Sequence, residues 1–315
     1  MQLSTFTQYR KFASSTLRHF GVGSSKFEDH VTEKLEDLIK QIKLNGHSIN
    51  PLELLYFANA NIMCPVLFNK SFDYDDEKAR ELLSINCAAM QLVGQAGYEI
   101  FMPFTFRTAA NKTLWAASEL LFDFVNGTKR DHQNELDADN LTTYTDVYLN
   151  EVATKQPDSE NSHLHPDNVS GQLFFLFLAG ANPVAAWVHW ALIYLAGNPE
   201  VQHRLQNELD SVVGRDRLPR LSDQKSMPYL KAFVHELERI VTLVPLGHMH
   251  SASSDVQLRG YTIPKGSVIV SNLWWIHNDP DVWTDPHVFR PERFLNDNGE
   301  FGVKDNYMPY GSGGY

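Results

Sequence analysis

The spacing of apolar and polar positions predicts a chain that is mostly helical. After Ser25, apolar residues recur at helical spacing at Phe27, Val31, Leu35, Leu38, Ile39 and Ile42. Similar patterns predict helices over residues 8–19, 51–65, 73–94, 111–125, 144–153 and 199–214 and around Glu236. Strand patterns occur only at residues 256–258 and 268–270, with turns at Gly260 and Gly266. The fold class expected is therefore mainly α with a small β appendage.

Helix boundaries are predicted from capping residues. Asn50 followed by Pro51 is typical of a helix start. The run Ser25-Lys26-Phe27-Glu28 has the pattern of a capping box. Residues 129–140 are polar and are predicted to form a loop.

One segment is long and apolar enough for two interpretations. Residues 171–197 contain no charged side chain, and their length meets the criterion for a membrane span. Gln172, Asn182, Pro183 and His189, together with the lack of basic flanking residues, favour a helix buried in a protein core instead.

Net charge, chain length and cysteine content limit the kinds of protein that this chain can be. The 315 residues carry a net charge of −11, which argues against nucleic acid as a partner. Nothing in the pattern divides the chain, so a single domain over residues 1–315 is expected. Residues 1–6 lack the basic start and apolar run of a secretory signal. The two cysteines, Cys64 and Cys87, are expected to be buried apolar groups in a reducing compartment.

The last 85 residues contain six short motifs in a fixed order. They are Glu236-x-x-Arg239, Pro245-Leu246-Gly247-x-x-His250, Gly260-Tyr261-x-Ile263-Pro264-Lys265-Gly266, His277-x-Asp279-Pro280, Pro291-Glu292-Arg293-Phe294 and Pro309-Tyr310-Gly311-x-Gly313. Each is weak alone, but the succession resembles the C-terminal half of a cytochrome P450 of the microsomal, drug- and steroid-oxidising animal type. The resemblance extends over nearly the whole chain and implies a cytochrome P450-like helical fold.

By this resemblance the sequence is expected to be a fragment. It starts inside the family's fold, without the membrane-anchor helix. The family's haem-ligand loop reads Phe-x-x-Gly-x-Arg-x-Cys, and Tyr310, Gly313 and Tyr315 stand at the Phe, Gly and Arg places. The iron-ligand cysteine is expected just after Tyr315, so no metal ligand is assigned within the chain.

The cofactor implied by the resemblance is haem b with its iron. Arg10 and His250 match positions that hold the haem propionates, where a cationic or hydrogen-bonding group is needed. The small Ala179 and Gly180 match a helix that lies beside the flat cofactor. Phe6 stands where the family prefers an indole donor, so one propionate contact is expected to be lost.

Glu236, Arg239 and Arg293 match a charged triad with a structural role. A carboxylate between two guanidinium groups can be buried only when the groups are paired and hydrogen-bonded. The triad is expected to support the region below the haem loop.

The positions of the oxygen-activating pair are both substituted. The family has an acid and a threonine where this chain has Asn182 and Pro183. An amide cannot titrate, and proline offers no donor and is expected to kink the helix. Three interpretations stay open: water replaces the proton relay, the enzyme rearranges a pre-oxidised substrate without O2, or the gene product is inactive.

The resemblance implies a haem-thiolate monooxygenase that hydroxylates lipophilic molecules such as steroids, fatty acids or xenobiotics. Electrons would come from an NADPH-dependent flavoprotein reductase, at the cytoplasmic face of the endoplasmic reticulum membrane. Phe177, Val244 and Leu246 are expected to face the substrate. The alternatives are a non-catalytic relative that binds a lipophilic ligand or a partner, and an O2-independent isomerase-type haem enzyme.

Overall fold

The computed structural model describes residues 3–46, 49–77, 79–84, 109–154 and 164–311. The mainly helical prediction is confirmed. The chain was expected to be a single domain, and its contacts divide it into two compact units, Met1–His189 and Trp190–Tyr315.

The first unit is built from helices. They are α1 (Leu3–His19), α2 (Ser25–Leu44), α3 (Pro51–Phe68), α4 (Ala109–Glu135), α5 (Tyr144–Thr154) and α6 (Val169–Gly197), whose last residues belong to the second unit. Half of the helix predicted over residues 73–94 lies outside the described residues, and residues 77 and 79–84 are helical. The start of α3 is as predicted, since the Asn50 side chain accepts the N–H of Leu52 at 3.2 Å. The cap of α2 is Ser24, whose hydroxyl accepts the N–H of Phe27, and not Ser25.

Helix α3 supplies much of the core of the first unit. Residues 55–61 are buried without interruption, because apolar residues occur around the whole circumference of α3 and the amides of Asn59 and Asn61 donate to the carbonyls of Leu55 and Phe72. The fully buried aromatic rings around it include Phe57, Phe68, Tyr144, Tyr148 and Phe177.

Helix α4 is longer than predicted. It continues through Gly127 to Glu135, over residues that the sequence analysis assigned to a loop. His132 holds this end: its Nδ1 lies 2.6 Å from Oδ1 of Asp146 and its Nε2 lies 3.0 Å from the carbonyl oxygen of Phe68. Burial raises the pKa of Asp146, but hydrogen bonds led by the one to His132 outweigh burial, and the pKa lies below its usual value. Tertiary contacts therefore stabilise a polar segment as helix.

The second unit combines short helices with two small sheets. The helices after α6 are α7 (Pro199–Val212), α8 (Pro228–Val241) and α9 (Leu273–Asn278), with 3-10 turns at Leu221–Ser226 and Pro291–Phe294. Strands β1 (His250–Ser251) and β4 (Val268–Ile269) pair antiparallel, and β2 (Val256–Leu258) pairs with β3 (Tyr261–Ile263). Arg259 and Gly260 join β2 to β3 with φ of +49° and +85°, which a type I′ turn requires.

Carboxylate contacts fix the start of α8. The two oxygens of Glu208 on α7 accept the N–H groups of Tyr229 and Leu230 at 2.8 and 2.7 Å. These are donors at the beginning of a helix that have no partner within it. Arg204, also on α7, lies 4.1 Å from the Tyr229 ring centre and donates to Glu292 at 2.6 Å. The helix that carries Glu236 and Arg239 is therefore anchored at its first turn.

Candidate functional site

The small residues Ala179, Gly180 and Ala181 lie on different sides of α6. Ala179 is exposed, whereas Ala181 is fully buried. A Cβ atom at Gly180 would lie 2.9 Å from Cε and Cγ of Met63 on α3, closer than atoms can pack. Gly180 therefore leaves room for the Met63 side chain beside α6, and Ala179 is the exposed member of the pair.

Asn182 lies inside the first unit. Its side chain is 1% exposed, and Pro183 beside it is half-buried. The helix continues through Pro183 to Gly197. The amide of Asn182 can hydrogen-bond but cannot exchange a proton at neutral pH. The structure therefore places a group without acid or base chemistry at this position.

Phe177, which was expected to face the substrate, lies in the interior of the first unit. Its ring is 0% exposed and lies 6.2 Å from Phe68 and 6.3 Å from Phe124, between ring centres. It belongs to the core of the first unit and not to an accessible surface. Phe175, two positions earlier, is 67% exposed, because a shift of two residues rotates a side chain to another face of a helix.

The other expected haem and substrate residues are largely accessible. Arg10 lies on α1 of the first unit and is exposed. In the second unit His250 is exposed on β1, Val244 is half-buried and Leu246 is 52% exposed. The last two belong to a tight turn, in which the N–H of Gly247 donates to the carbonyl of Val244 at 3.0 Å.

The triad residues come together in the interior of the second unit. The Arg239 guanidinium donates to both oxygens of Glu236, from Nε at 2.7 Å and Nη2 at 2.8 Å. Arg293 donates from Nε to Oε1 of Glu236 at 3.1 Å. The Glu236 and Arg239 side chains are 0% exposed and that of Arg293 is 5% exposed. Such a two-pronged Arg–carboxylate pair is both strong and directional.

The remaining donors of the two arginines bind backbone carbonyls. Arg239 donates from Nη1 to the carbonyl of His277 at 2.7 Å, and Arg293 donates to those of Thr284, Asp285 and Val288. Burial lowers the pKa of Arg293, and the nearby Arg239 and Arg290 add to this, against the opposing charge of Glu236. The triad therefore fixes the chain from residue 277 to residue 293 around α8.

His277 connects this cluster to the loop over residues 307–311. Its ring is fully buried, and Nε2 accepts the N–H of Met308 at 3.2 Å. Nδ1 therefore carries the proton and donates to Oγ1 of Thr242 at 3.3 Å, while that hydroxyl donates to the carbonyl of Arg239 at 2.6 Å. Burial, followed by the charge of Arg239, lowers the pKa of His277 to about 4.

Tyr310 lies at the end of the described chain. It is 71% exposed, and its hydroxyl donates to Glu238 at 3.2 Å. Gly313, expected in the same loop, lies outside the described residues.

The cysteine that lies within the described ranges does not suit an iron ligand. Cys64 is 0% exposed, and burial raises the pKa of its thiol, so the thiolate that iron needs is disfavoured. Cys87 lies outside these ranges, and the described residues contain no group of three or more His, Cys, Asp or Glu that could hold a metal.

Comparison with known proteins decides the family. The sequence model described as "Cytochrome P450" matches residues 2–314. The chain belongs to the cytochrome P450 family. It is 33% identical over 315 residues to cytochrome P450 2U1 of Bos taurus, covering 97% of this chain and 57% of that protein. It is 32% identical to cytochrome P450 2J3 of Rattus norvegicus (98% and 62%) and 31% identical to cytochrome P450 2C20 of Macaca fascicularis (96% and 63%).

The P450 match bears on the two apolar helices. Within the described residues, Pro51–Phe68 and Val169–Gly197 are long and apolar enough to cross a membrane. Core helices of soluble domains pass the same test when they are mostly buried; the apolar stretch of Pro51–Phe68 is 56% buried and that of Val169–Gly197 is 28% buried. Both helices nevertheless lie inside the segment matched to the P450 family. This favours the core interpretation of residues 171–197.

Sequence reasoning missed several groups around the triad. His277 was recognised within its motif but received no role, and Glu238 and Tyr307 received none. The signal available was that Glu238 lies between the two motif residues Glu236 and Arg239. Its partners lie 69 and 72 residues further along the chain, so no local pattern identifies them.

We expect the stability of this P450 chain to fall as the pH drops from 6.5 to 4. The folded-state pKa of His277 is about 4, whereas the unfolded value is about 6.5. The unfolded state thus binds more protons between these values, and the His277 contribution is complete above pH 6.5 and lost by pH 4. The expected difference is at most about 3 kcal/mol.

Urea unfolding of wild type and His277→Gln at several pH values measures this effect. The difference in unfolding free energy between the two proteins is expected to shrink as the pH falls through this window. The exposed His287 supplies the control, since His287→Gln is expected to leave the pH profile unchanged. A pH-independent difference between wild type and His277→Gln would contradict the prediction.

Proposed function

We propose that this chain is part of a haem-thiolate monooxygenase that hydroxylates lipophilic molecules such as steroids, fatty acids or xenobiotics. The observation that carries the proposal is the buried Glu236–Arg239–Arg293 triad, connected through His277 to the loop that leads to the family's ligand cysteine. The chain spans about 57–63% of the length of the relatives named above. Activity, substrate and partners are therefore proposed for the whole protein.

The chemistry of exposed side chains in each unit supports the proposed haem group. In the first unit, Arg10 is exposed and carries a guanidinium of the kind that pairs with a propionate, and Ala179 is small and exposed. In the second unit, His250 is exposed and carries an imidazole that can hydrogen-bond a carboxylate. Cys64 is excluded as the ligand by its burial. A bound haem with a cysteine thiolate on iron supplies the chemistry of O–O cleavage.

The residues at the positions of the oxygen-activating pair limit how protons could reach the site. Asn182 can hold a water molecule by hydrogen bonds from Nδ2 or to Oδ1, but it cannot deliver a proton itself. Pro183 has no side-chain donor. Proton delivery in this protein would therefore use water, and Asn182 would orient it.

The proposal includes partners and location. Electrons would come from an NADPH-dependent flavoprotein reductase, and the protein would act at the cytoplasmic face of the endoplasmic reticulum membrane. These assignments rest on the family and on the similarity to the cytochromes P450 2U1 and 2J3.

The test is the carbon monoxide difference spectrum of the protein expressed from the full transcript. A red-shifted Soret band after reduction is expected, because a thiolate pushes electron density onto the iron. Serine at the loop cysteine is the control and is expected to abolish the shift. If the full protein binds no haem, or binds it without this shift, the proposal fails and a non-catalytic ligand-binding relative remains.

The buried amide at Asn182 favours a second candidate, an O2-independent haem isomerase. Such an enzyme rearranges a pre-oxidised substrate and needs no proton relay to dioxygen. The haem-loaded protein would then convert a lipid hydroperoxide without NADPH or reductase, whereas the monooxygenase requires both.

A further inference from the structure

One carboxylate holds two tyrosines of the loop over residues 307–311. Glu238 lies on α8, between the triad residues Glu236 and Arg239. Its Oε2 accepts the hydroxyl of Tyr307, and its Oε1 accepts the hydroxyl of Tyr310 at 3.2 Å. Each carboxylate oxygen thus binds a different phenol of the same loop.

The surroundings of Tyr307 and Tyr310 keep both hydroxyl groups protonated, so that both can donate hydrogen bonds. Burial and then the Glu238 carboxylate raise the pKa of Tyr307 and of Tyr310 above its usual value. The Tyr307 ring also packs in the interior, 4.9 Å from the ring centre of His235 and 5.3 Å from that of Phe294. A phenol that donates to a carboxylate forms a charge-assisted hydrogen bond, stronger than one between neutral groups.

Met308, which lies between Tyr307 and Tyr310 in the sequence, makes a third contact. Met308 donates its backbone N–H to Nε2 of His277 at 3.2 Å. The loop is therefore attached to α8 through two side chains and to α9 through its backbone, within four consecutive residues. These contacts leave the short segment little freedom to shift.

We propose that Glu238 is a positioning residue for the haem-ligand loop. This assignment rests on the proposed haem-thiolate function, because that function gives the loop its role. By the resemblance described above, Tyr310 stands at a phenylalanine place of the family pattern. Phenylalanine has no hydroxyl to donate, so the attachment through Tyr310 follows from this chain's own sequence. The carboxylate fixes the approach of the loop to the iron-ligand position without touching the cofactor.

Amide hydrogen exchange of the 315-residue chain tests the attachment directly. Glu238→Gln keeps the side-chain shape but has one acceptor oxygen, so one phenol faces an NH2 group. The Met308 amide is expected to exchange about tenfold faster or more, because a hydrogen bond to a charged group contributes about 1.5–3 kcal/mol. The double variant Tyr307→Phe and Tyr310→Phe is expected to give the same increase.

Two controls separate positioning from general destabilisation. Tyr261 is 77% exposed on the β2–β3 hairpin, and Tyr261→Phe is expected to leave Met308 exchange unchanged. In Glu238→Gln, the amides of α8 are expected to keep their protection while those of residues 307–311 lose it. Unchanged Met308 exchange in Glu238→Gln, or an equal loss of protection throughout the second unit, overturns the proposal.

The haem-loaded protein from the full transcript provides the functional readout. In Glu238→Gln, a larger share of the reduced carbon monoxide complex is expected to show the unshifted Soret band of a lost thiolate. If wild type binds no haem, the proposed function fails while hydrogen exchange still decides the role of Glu238. If haem binding is normal and the spectrum of Glu238→Gln matches wild type, the positioning role fails and the proposed function stands.

Discussion

Replacing Glu236 with alanine is expected to lower the unfolding free energy of the second unit by about 3–5 kcal/mol. The substitution leaves the Arg239 and Arg293 guanidinium groups buried without their carboxylate. Water cannot solvate these charges, because the Arg239 side chain is 0% exposed and that of Arg293 is 5% exposed. The loss would be a large fraction of the stability of an ordinary domain, which is about 5–15 kcal/mol.

The measurement is urea unfolding combined with hydrogen exchange of the α8 amides, which assigns the loss to the second unit. Glu236→Gln is expected to be nearly as harmful, since it keeps the shape but removes the charge. Glu300→Ala, at an exposed carboxylate, is the control and is expected to change stability by less than about 1 kcal/mol. A loss below about 1 kcal/mol in Glu236→Ala would show that the triad is not buried as described.

The triad illustrates what the sequence could and could not predict. The pair Glu236 and Arg239 lies three residues apart on a helix, so their contact is local and readable. The contact of Arg293 with Glu236 spans 57 residues and was expected only from the family resemblance. The carbonyl partners of Arg293 and the link from Met308 to His277 depend on how loops fold around α8, which no periodicity encodes.

The boundary of α4 shows a limit of a different kind. Polar composition after Gly127 predicted a loop, because helix and loop surfaces have similar side chains. The helix persists because Thr128 and His132 face inward, and His132 binds Asp146 and the backbone of Phe68. A partner 64 residues away in sequence thus decides the local structure, and local propensity is overridden.

Phe177 shows why a motif does not fix the direction of a side chain. Phe177 was expected to face the substrate because it lies near the Ala179–Gly180 step. Three residues along a helix correspond to most of a turn, so the face on which each side chain lies has to come from the structure. The exposed side of this part of α6 carries Phe175 and Ala179, four positions apart, as helical spacing requires. Phe177 falls on the side that packs against α3 and α4.

Phe177→Ala is accordingly expected to destabilise the first unit by about 3–5 kcal/mol, the range for removing a fully buried phenylalanine ring. Phe175→Ala, which alters the same residue type on the same helix at 67% exposure, is expected to change stability by less than about 0.5 kcal/mol. Chemical unfolding followed by circular dichroism, with proteolysis to localise the change to the first unit, compares the two.

The pair of variants also separates packing from recognition. A substrate-facing Phe177 would lose ligand affinity in Phe177→Ala while stability stayed near that of wild type, and that outcome would contradict the core assignment. If Phe177 is a core residue, Phe177→Ala lowers the unfolding free energy of the first unit, because the cavity left between Phe68 and Phe124 cannot close completely. Any change in ligand binding would then be indirect, through the position of α6. On this argument Phe175 is the aromatic side chain of α6 to substitute when substrate contacts are sought.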